Sequence, residues 1–274
     1  PFDHTRIPGG SSGASATSVA SGTCWASIGT DTGGSVRQPA AFCGLVGLKP
    51  SYGRISRHGL IAYASSFDQA GFFTLSVFDA ALLLEVTAGK DEYDASMSQE
   101  ATEDYSQASL EVFKGKLAYL DIEHFRSSMD NNIVDNYQQT IEKWKKAGYD
   151  LKPVTLDWLD YVIPAYYVMT TAEASSNLSR YDGIRYGYRA EDATTMDQLY
   201  KQSRTRGFGT EVKRRILLGT YVLSAGFYDA YYQKAQQVRR LVKNNLDILF
   251  EQYDGLVLPI SPVLPWKIGE KMDD

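Results

Sequence analysis

Apolar residues in this chain recur in two patterns: short unbroken runs, and longer stretches with three- and four-residue spacing. The short runs are bounded by Gly, Pro or polar residues, which is typical of buried strands. They lie at residues 24–28, 45–48, 116–120 and 255–259. The spaced pattern predicts helices, which lie at residues 12–20, 76–86, 133–147 and 229–252.

Local signals mark the ends of two of these helices. Ser76 stands three residues before Asp79, an arrangement that caps a helix start, and Gly148 follows the helix predicted at 133–147. In the last helix Ala235, Leu241 and the other apolar residues share one face, so we expect that face to be buried. Strands alternating with helices indicate an α/β domain whose sheet is mostly covered.

Composition narrows the classes of function. A chain of 274 residues with 43% hydrophobic content can bury a large core, and one domain is the simplest interpretation. The net charge of −5 argues against a broad surface for nucleic acid or anionic membranes, so a partner should hold any RNA. No apolar run is long enough to span a bilayer. Cys24 and Cys43 indicate no disulfide framework or metal site, and we expect both to be buried in a reducing compartment.

Two glycine-rich segments carry serines. Ser11 lies in the segment 9–13, and Ser35 follows Gly33 and Gly34. Because glycine has no Cβ, the main chain beside Ser35 can approach a substrate closely and direct N–H groups at a developing negative oxygen. The segment therefore predicts nucleophilic, acyl-transfer chemistry.

Three segments together resemble the amidase signature family. They are Gly-Gly-Ser-Ser-Gly at 9–13, Gly-Thr-Asp-Thr-Gly-Gly-Ser-x-Arg-x-Pro-Ala at 29–40 and Gly-Leu-Val-Gly-Leu-Lys-Pro-Ser-Tyr-Gly at 44–53. The resemblance covers essentially the whole chain, although family members extend beyond it at both ends. Residues 1–274 are thus interpreted as a fragment of an amidase domain, and the fold implied is a mixed central β-sheet flanked by α-helices.

The resemblance also implies a Ser-Ser-Lys catalytic arrangement. Ser35 would be the acyl-forming nucleophile, and Ser11, 24 residues earlier and on a cis peptide, would be the bridging serine. Backbone N–H groups of Thr32, Gly33 and Gly34 would form the oxyanion hole.

The proton-accepting lysine of the family lies upstream of Pro1. Lys49 is nearest to the motifs but does not match the family's lysine motif. We therefore expect the isolated chain to be inactive or nearly so.

For substrate binding, the resemblance points to a carboxylate clamp. Arg215 matches the family's carboxylate-binding arginine, with Arg214 one position away as the alternative, and Tyr166 matches a supporting tyrosine. Asp31 and Arg37 are expected to brace the nucleophile loop through an ion pair and backbone hydrogen bonds, without a chemical role.

Two further segments, 173–187 and 207–220, resemble one branch of the family. That branch implies glutamine as substrate and ammonia passed to a partner that converts Glu-tRNA(Gln) to Gln-tRNA(Gln). Two further subunits are the implied partners, ATP and Mg being used by a partner, and no cofactor, metal or membrane is expected for this chain. The expected compartment is the cytoplasm; an organelle stays open because the chain does not begin with Met, and so does service to Asp-tRNA(Asn).

Other interpretations compete with this one. Residues 9–13 also satisfy the Gly-x-Ser-x-Gly elbow of α/β-hydrolases, which would make Ser11 the nucleophile, but that elbow must follow a strand. His58 and His124 are better explained as loop and surface residues than as its catalytic histidine. A stand-alone amide hydrolase of the same family and a non-catalytic assembly subunit are the remaining alternatives.

Overall fold

The computed structural model describes residues 2–271, in which helices and strands alternate. The α/β class predicted from the sequence is confirmed. The chain divides into two compact units. The first comprises the described residues of Pro1–Gly59, Gln69–Leu156 and Leu246–Asp274, and the second comprises Leu60–Asp68 and Asp157–Asn245.

The first unit contains, among its described residues, two three-stranded sheets. Its strands are β1 (Ser27–Asp31), β2 (Val46–Leu48), β3 (Gln69–Thr74), β4 (Lys116–Leu120), β5 (Asp150–Val154) and β6 (Gly255–Val257). The order β1-β3-β2 is antiparallel, and the order β5-β4-β6 is parallel. Strands expected in one mixed sheet are thus divided, in the described part of the chain, between an antiparallel and a parallel sheet.

Five helices accompany these sheets in the described part of the first unit. They are α1 (Gly13–Ala20), α2 (Arg37–Cys43), α3 (Val77–Thr87), α4 (Tyr105–Ala108) and α5 (Asn131–Lys146), and Glu123–Ser128 forms a 3₁₀ helix. Helix α3 begins as predicted, because the Ser76 side chain accepts a hydrogen bond from the Asp79 N–H. Helix α5 is followed by Gly148 with φ 92°, a conformation that favours glycine.

Helices α1 and α2 share one small core with the antiparallel sheet. Val19 of α1, Ala40 of α2 and Phe73 of β3 lie in a single buried cluster. Gly29 of β1 allows α1 to come close, since a Cβ there would lie 2.8 Å from the Ser12 side chain and from the Phe73 ring. This packing fixes both serine-bearing segments, which lead into α1 and α2, on the same small sheet.

One predicted strand has different bounds and burial from those expected. We predicted a buried strand at 24–28, whereas β1 begins at Ser27, and Trp25 and Ile28 are 91% and 61% exposed. Side chains alternate along a strand, and Gly29 and Asp31 face inward, so Ile28 must face outward. Cys43 is buried as expected, whereas Cys24 is only half-buried.

The second unit is helical in its described residues. It contains α6 (Leu159–Asn177), the 3₁₀ turn Leu178–Arg180, α7 (Met196–Gly207), α8 (Thr210–Val222), a π-helical stretch at Tyr228–Gln233 and the start of α9 (Lys234–Phe250). The prediction that α9 buries a whole apolar face is wrong here: Ala235 is buried, but Leu241 and Phe250 are exposed. Its core contacts lie near its N-terminal end, where Ala235 and Val238 pack with Ala165 and Met169 of α6.

Candidate active site

The loop that carries Ser35 is built around one buried carboxylate. Asp31 ends β1 with no exposed surface, and its two oxygens accept hydrogen bonds from the backbone N–H groups of Gly34 at 2.8 Å, Val36 at 3.1 Å and Arg37 at 3.3 Å. The Arg37 guanidinium adds two side-chain bonds to Asp31, at 3.0 Å and 2.9 Å. The chain therefore turns around Asp31 and presents the half-buried Ser35 at the start of α2.

Charge on this carboxylate is favoured. Burial alone would raise the pKa of Asp31, but the Arg37 guanidinium and the N–H groups of Gly34 and Val36 outweigh burial and hold the pKa below its usual value. Asp31 is thus ionised at neutral pH. The expected bracing role of Asp31 and Arg37 matches these contacts.

Gly34 adopts a conformation that only glycine reaches easily, with φ +114°. Its N–H donates to Asp31, so the structure assigns this donor to the loop's own carboxylate rather than to an oxyanion. This corrects the expectation that Gly34 contributes to an oxyanion hole, because a donor aimed at one acceptor cannot also face a second one elsewhere. Thr32 and Gly33 stay predictions for that role.

The segment carrying Ser11 is joined directly to the Ser35 loop. The Ser12 N–H donates to the Ser35 carbonyl at 3.1 Å, and the Gly10 N–H donates to the Gln38 side chain of α2 at 3.2 Å. The Gly10–Ser11 peptide is cis, as the resemblance implies. Ser11 is exposed. Within residues 2–271 the hydroxyls of Ser11 and Ser35 do not hydrogen-bond to each other, so the predicted bridge is not closed in this structure.

Lys49 lies close enough to the braced loop to respond to its charges. Its ammonium donates to the Pro50 carbonyl at 2.6 Å and is half-buried. Burial and the Arg37 guanidinium lower the pKa of Lys49, while Asp31 acts in the opposite direction. These contacts place a second cation beside the Asp31–Arg37 pair.

Arg215, on α8, is held in the second unit. Its Nε donates to Glu211 at 2.9 Å, and a terminal nitrogen donates to the Tyr63 hydroxyl at 2.7 Å. Its neighbour Arg214 has a side chain that is 74% exposed, against 32% for Arg215, and it pairs with Glu211. The partly enclosed Arg215 is therefore the better candidate for a fixed ligand-binding group.

Tyr166 lies on α6 in the same unit. Its ring meets the Phe67 ring edge-on, with centroids 6.0 Å apart. Sequence reasoning missed the segment 63–68, although it contacts both predicted substrate-binding residues, through Tyr63 and Phe67. No local signal marks it, since Tyr63 and Arg215 are 152 positions apart.

The hydrolase-elbow alternative lacks its structural context. Residues 3–8 form a turn and an isolated bridge between Arg6 and Lys267, so no strand leads into Ser11. His58 is exposed and stacks on Tyr93, and His124 is exposed beside Phe125. Ser35 is thus the better-supported nucleophile.

Two searches of the described residues complete the site. No group of three or more His, Cys, Asp or Glu side chains in residues 2–271 could hold a metal ion. Across the same residues, no helix is both long enough and apolar enough to cross a membrane.

The amidase family model matches residues 1–274, and the chain belongs to this family. Among curated relatives, the A subunit of glutamyl-tRNA(Gln) amidotransferase from Chlorobium limicola is 52% identical over 276 residues, which cover 100% of this chain and 58% of that relative. The protein of the same name from Acidobacterium capsulatum is 52% identical over 98% of this chain and 56% of its own length.

Solved structures agree with this assignment. The crystal structure of the glutamyl-tRNA(Gln) amidotransferase A subunit from Thermotoga maritima matches with a TM-score of 0.76 and 38% identity, over 100% of this chain and 55% of that one. A bacterial aryl acylamidase of the amidase signature family, 24% identical, matches with a TM-score of 0.78 over 97% of this chain and 52% of its own, which shows the fold alone. The family predicted from the glycine-rich segments is confirmed, and this chain spans little more than half the length of these relatives.

Proposed function

We propose that this chain is part of a glutaminase subunit that hydrolyses glutamine and supplies ammonia for the conversion of Glu-tRNA(Gln) to Gln-tRNA(Gln). The observation that carries the proposal is the loop built around Asp31, which presents Ser35 beside backbone donors and next to the segment of Ser11. The names of the relatives support the choice of substrate and of the tRNA-dependent branch.

The chemistry begins at the Ser35 hydroxyl. Ser35 gives up its proton through Ser11 to a lysine outside this chain and attacks the side-chain amide carbon of glutamine. The N–H groups of Thr32 and Gly33 stabilise the negative oxygen of the tetrahedral intermediate. Ammonia leaves, water then cleaves the acyl-enzyme, and glutamate is released.

Glutamine is selected by its α-carboxylate. Arg215 supplies the positive charge for this group, and Tyr166 supports it. Glu211 already holds the Nε edge of Arg215, so the substrate carboxylate uses the remaining donors of the guanidinium.

Ammonia is used elsewhere in a larger assembly. Two further subunits complete the enzyme, and one of them uses ATP and Mg to activate Glu-tRNA(Gln). A cytoplasmic location fits this role, since the tRNA substrate is found there. These partners follow from the relatives' names and from the small share of positive charge in this chain.

Serine substitutions in the full-length protein test the proposal. Ser35→Ala should abolish glutamine hydrolysis and the covalent adduct detected by mass spectrometry after an acylating inhibitor, whereas Ser11→Ala should slow adduct formation while the adduct stays on Ser35. The exposed Ser127→Ala is the control and should behave like the unmodified protein.

An adduct on Ser11 would overturn the assignment of the nucleophile. Copurification with two subunits and stimulation by Glu-tRNA are expected, whereas a fully active monomer indifferent to tRNA would favour a stand-alone amide hydrolase. The isolated 274-residue chain should show no turnover, and measurable turnover would mean that its base lies within it.

A further inference from the structure

We propose that Tyr63 and Arg215 form one carboxylate-binding pair, in which Tyr63 orients the guanidinium and donates its own hydroxyl proton to the ligand carboxylate. The inference deepens the proposed glutaminase function and rests on it. The Arg215 terminal nitrogen donates to the Tyr63 oxygen at 2.7 Å, and the guanidinium carbon lies 5.8 Å from the centre of the Tyr63 ring. Both residues belong to the second unit.

Donors remain on both members of the pair. A guanidinium has five N–H groups, and Arg215 uses one on Glu211 and one on Tyr63, so three are left within the described residues. The Tyr63 hydroxyl accepts from Arg215, and its proton has no acceptor in the described part of the chain. A hydroxyl that accepts from a cation donates more strongly in turn, because successive hydrogen bonds polarise one another.

Tyr63 can orient Arg215 only if its own backbone is held, and it is held on both sides. The Tyr63 N–H donates to Asp68 at 2.8 Å, and its carbonyl accepts from the Asn177 side chain at 3.1 Å. Asn177 also donates to the Ser65 hydroxyl at 2.9 Å. The position of the phenol is therefore set before any ligand arrives.

The next turn of the segment is anchored as firmly. Glu173 of α6 accepts from both the N–H and the hydroxyl of Ser66, and Arg239 of α9 donates to the Ser66 hydroxyl and carbonyl at 2.7 Å and 2.9 Å. Phe67 then packs in the cluster of Ala165 and Met169 and against Tyr166. Glu173 and Asn177, which belong to the branch-specific segment 173–187, thus hold the loop that positions the carboxylate pair.

The test is the kinetics of Tyr63→Phe in the full-length protein with its copurifying subunits. Loss of one hydroxyl that touches a charged ligand group should raise the KM for glutamine about five- to tenfold and leave kcat within about twofold. The KM for a simple amide without an α-carboxylate should not change. Tyr161→Phe, an exposed tyrosine of α6, is the matched control and should behave like the unmodified protein.

An unchanged KM for glutamine in Tyr63→Phe would overturn the inference, and so would an equal rise for both amides, which indicates a structural role. Arg215→Lys separates the two levels. If it raises the KM for glutamine while Tyr63→Phe does not, only the pair is refuted; if neither variant has an effect, Arg215 is not the glutamine clamp. Calorimetric binding of L-glutamate is measured in parallel, and a Tyr63→Phe variant that binds as tightly as the unmodified protein also refutes the pair.

Discussion

Replacing Asp31 by Asn tests whether the buried carboxylate organises the nucleophile loop. The substitution keeps the shape of the side chain but removes its charge, and it turns an NH₂ group toward N–H donors that now meet an oxygen. One of the two donor sets, Gly34 with an Arg37 terminal nitrogen or Val36 with the Arg37 Nε, then loses its acceptor. Leaving donors unpaired at a buried site costs about 1–3 kcal/mol.

Breaking the ion pair adds to this cost. Removing one partner of a fully buried pair costs about 3–5 kcal/mol, but the Arg37 side chain is 41% exposed and water compensates part of its charge. We therefore expect Asp31→Asn to lower the free energy of unfolding by about 2–4 kcal/mol at pH 7. The assay is urea denaturation of the full-length protein followed by circular dichroism.

The difference should depend on pH in a defined direction. The pKa of Asp31 in the folded protein lies below its ordinary value of 3.8, so its ionisation stabilises the fold fully above that value. Stability from this group is lost as the pH falls through the folded pKa, where the native carboxylate takes up a proton. The gap between the unmodified protein and Asp31→Asn should accordingly narrow below about pH 4.

A matched control is the exposed pair of Asp192 and Arg206, whose partners are 60% and 46% exposed. Asp192→Asn should barely change stability, because water screens such a pair. The reasoning fails if Asp31→Asn is no more destabilising than the control, or if its effect is the same at pH 7 and at pH 3. Ser35 acylation measured on the same samples shows whether lost loop order reaches the nucleophile.

Two further substitutions probe the same loop. Gly34→Ala places a Cβ at φ +114°, which should destabilise the protein by about 1–2 kcal/mol and slow acylation of Ser35; acylation at the normal rate would show that the loop conformation is not required. Lys49→Met should stabilise the protein at pH 7, because burial and Arg37 lower the pKa of Lys49 in the folded state and so make its protonated form costly there. Since the unfolded chain holds that proton up to about pH 10.4, stability of the unmodified protein rises with pH between the folded and unfolded pKa, and an advantage of Lys49→Met that does not shrink by pH 10.5 would contradict this account.

Local signals allowed part of the fold to be predicted from the sequence. The strand β4 has the predicted bounds, and α3 begins at the predicted cap, because a short apolar run and a Ser three residues before Asp79 act within a few positions. Strand β3 was not predicted, since all six of its residues are buried and it shows no alternation of apolar and polar positions. Strand β5 was missed as well, because Lys152 and Pro153 interrupt its apolar pattern.

The candidate site divides in the same way. Asp31, Arg37 and Ser35 lie within seven positions, so their grouping and the bracing ion pair could be predicted from one segment. The pairing of Tyr63 with Arg215 could not, because it depends on α6 and α9 holding the segment 63–68 beside α8. A contact between residues so far apart in sequence follows from packing and leaves no periodicity to detect.

The Asp31 contacts also explain why the motif around Ser35 tolerates so little side-chain bulk. A carboxylate that accepts from Gly34, Val36 and Arg37 requires the backbone to curl tightly around it, and the left-handed Gly34 makes that curl possible. The same curl directs the Gly34 N–H inward. Oxyanion stabilisation must then come from the part of the loop that precedes Gly34, which is why Thr32 and Gly33, rather than all three residues, are the donors to test by acylation kinetics.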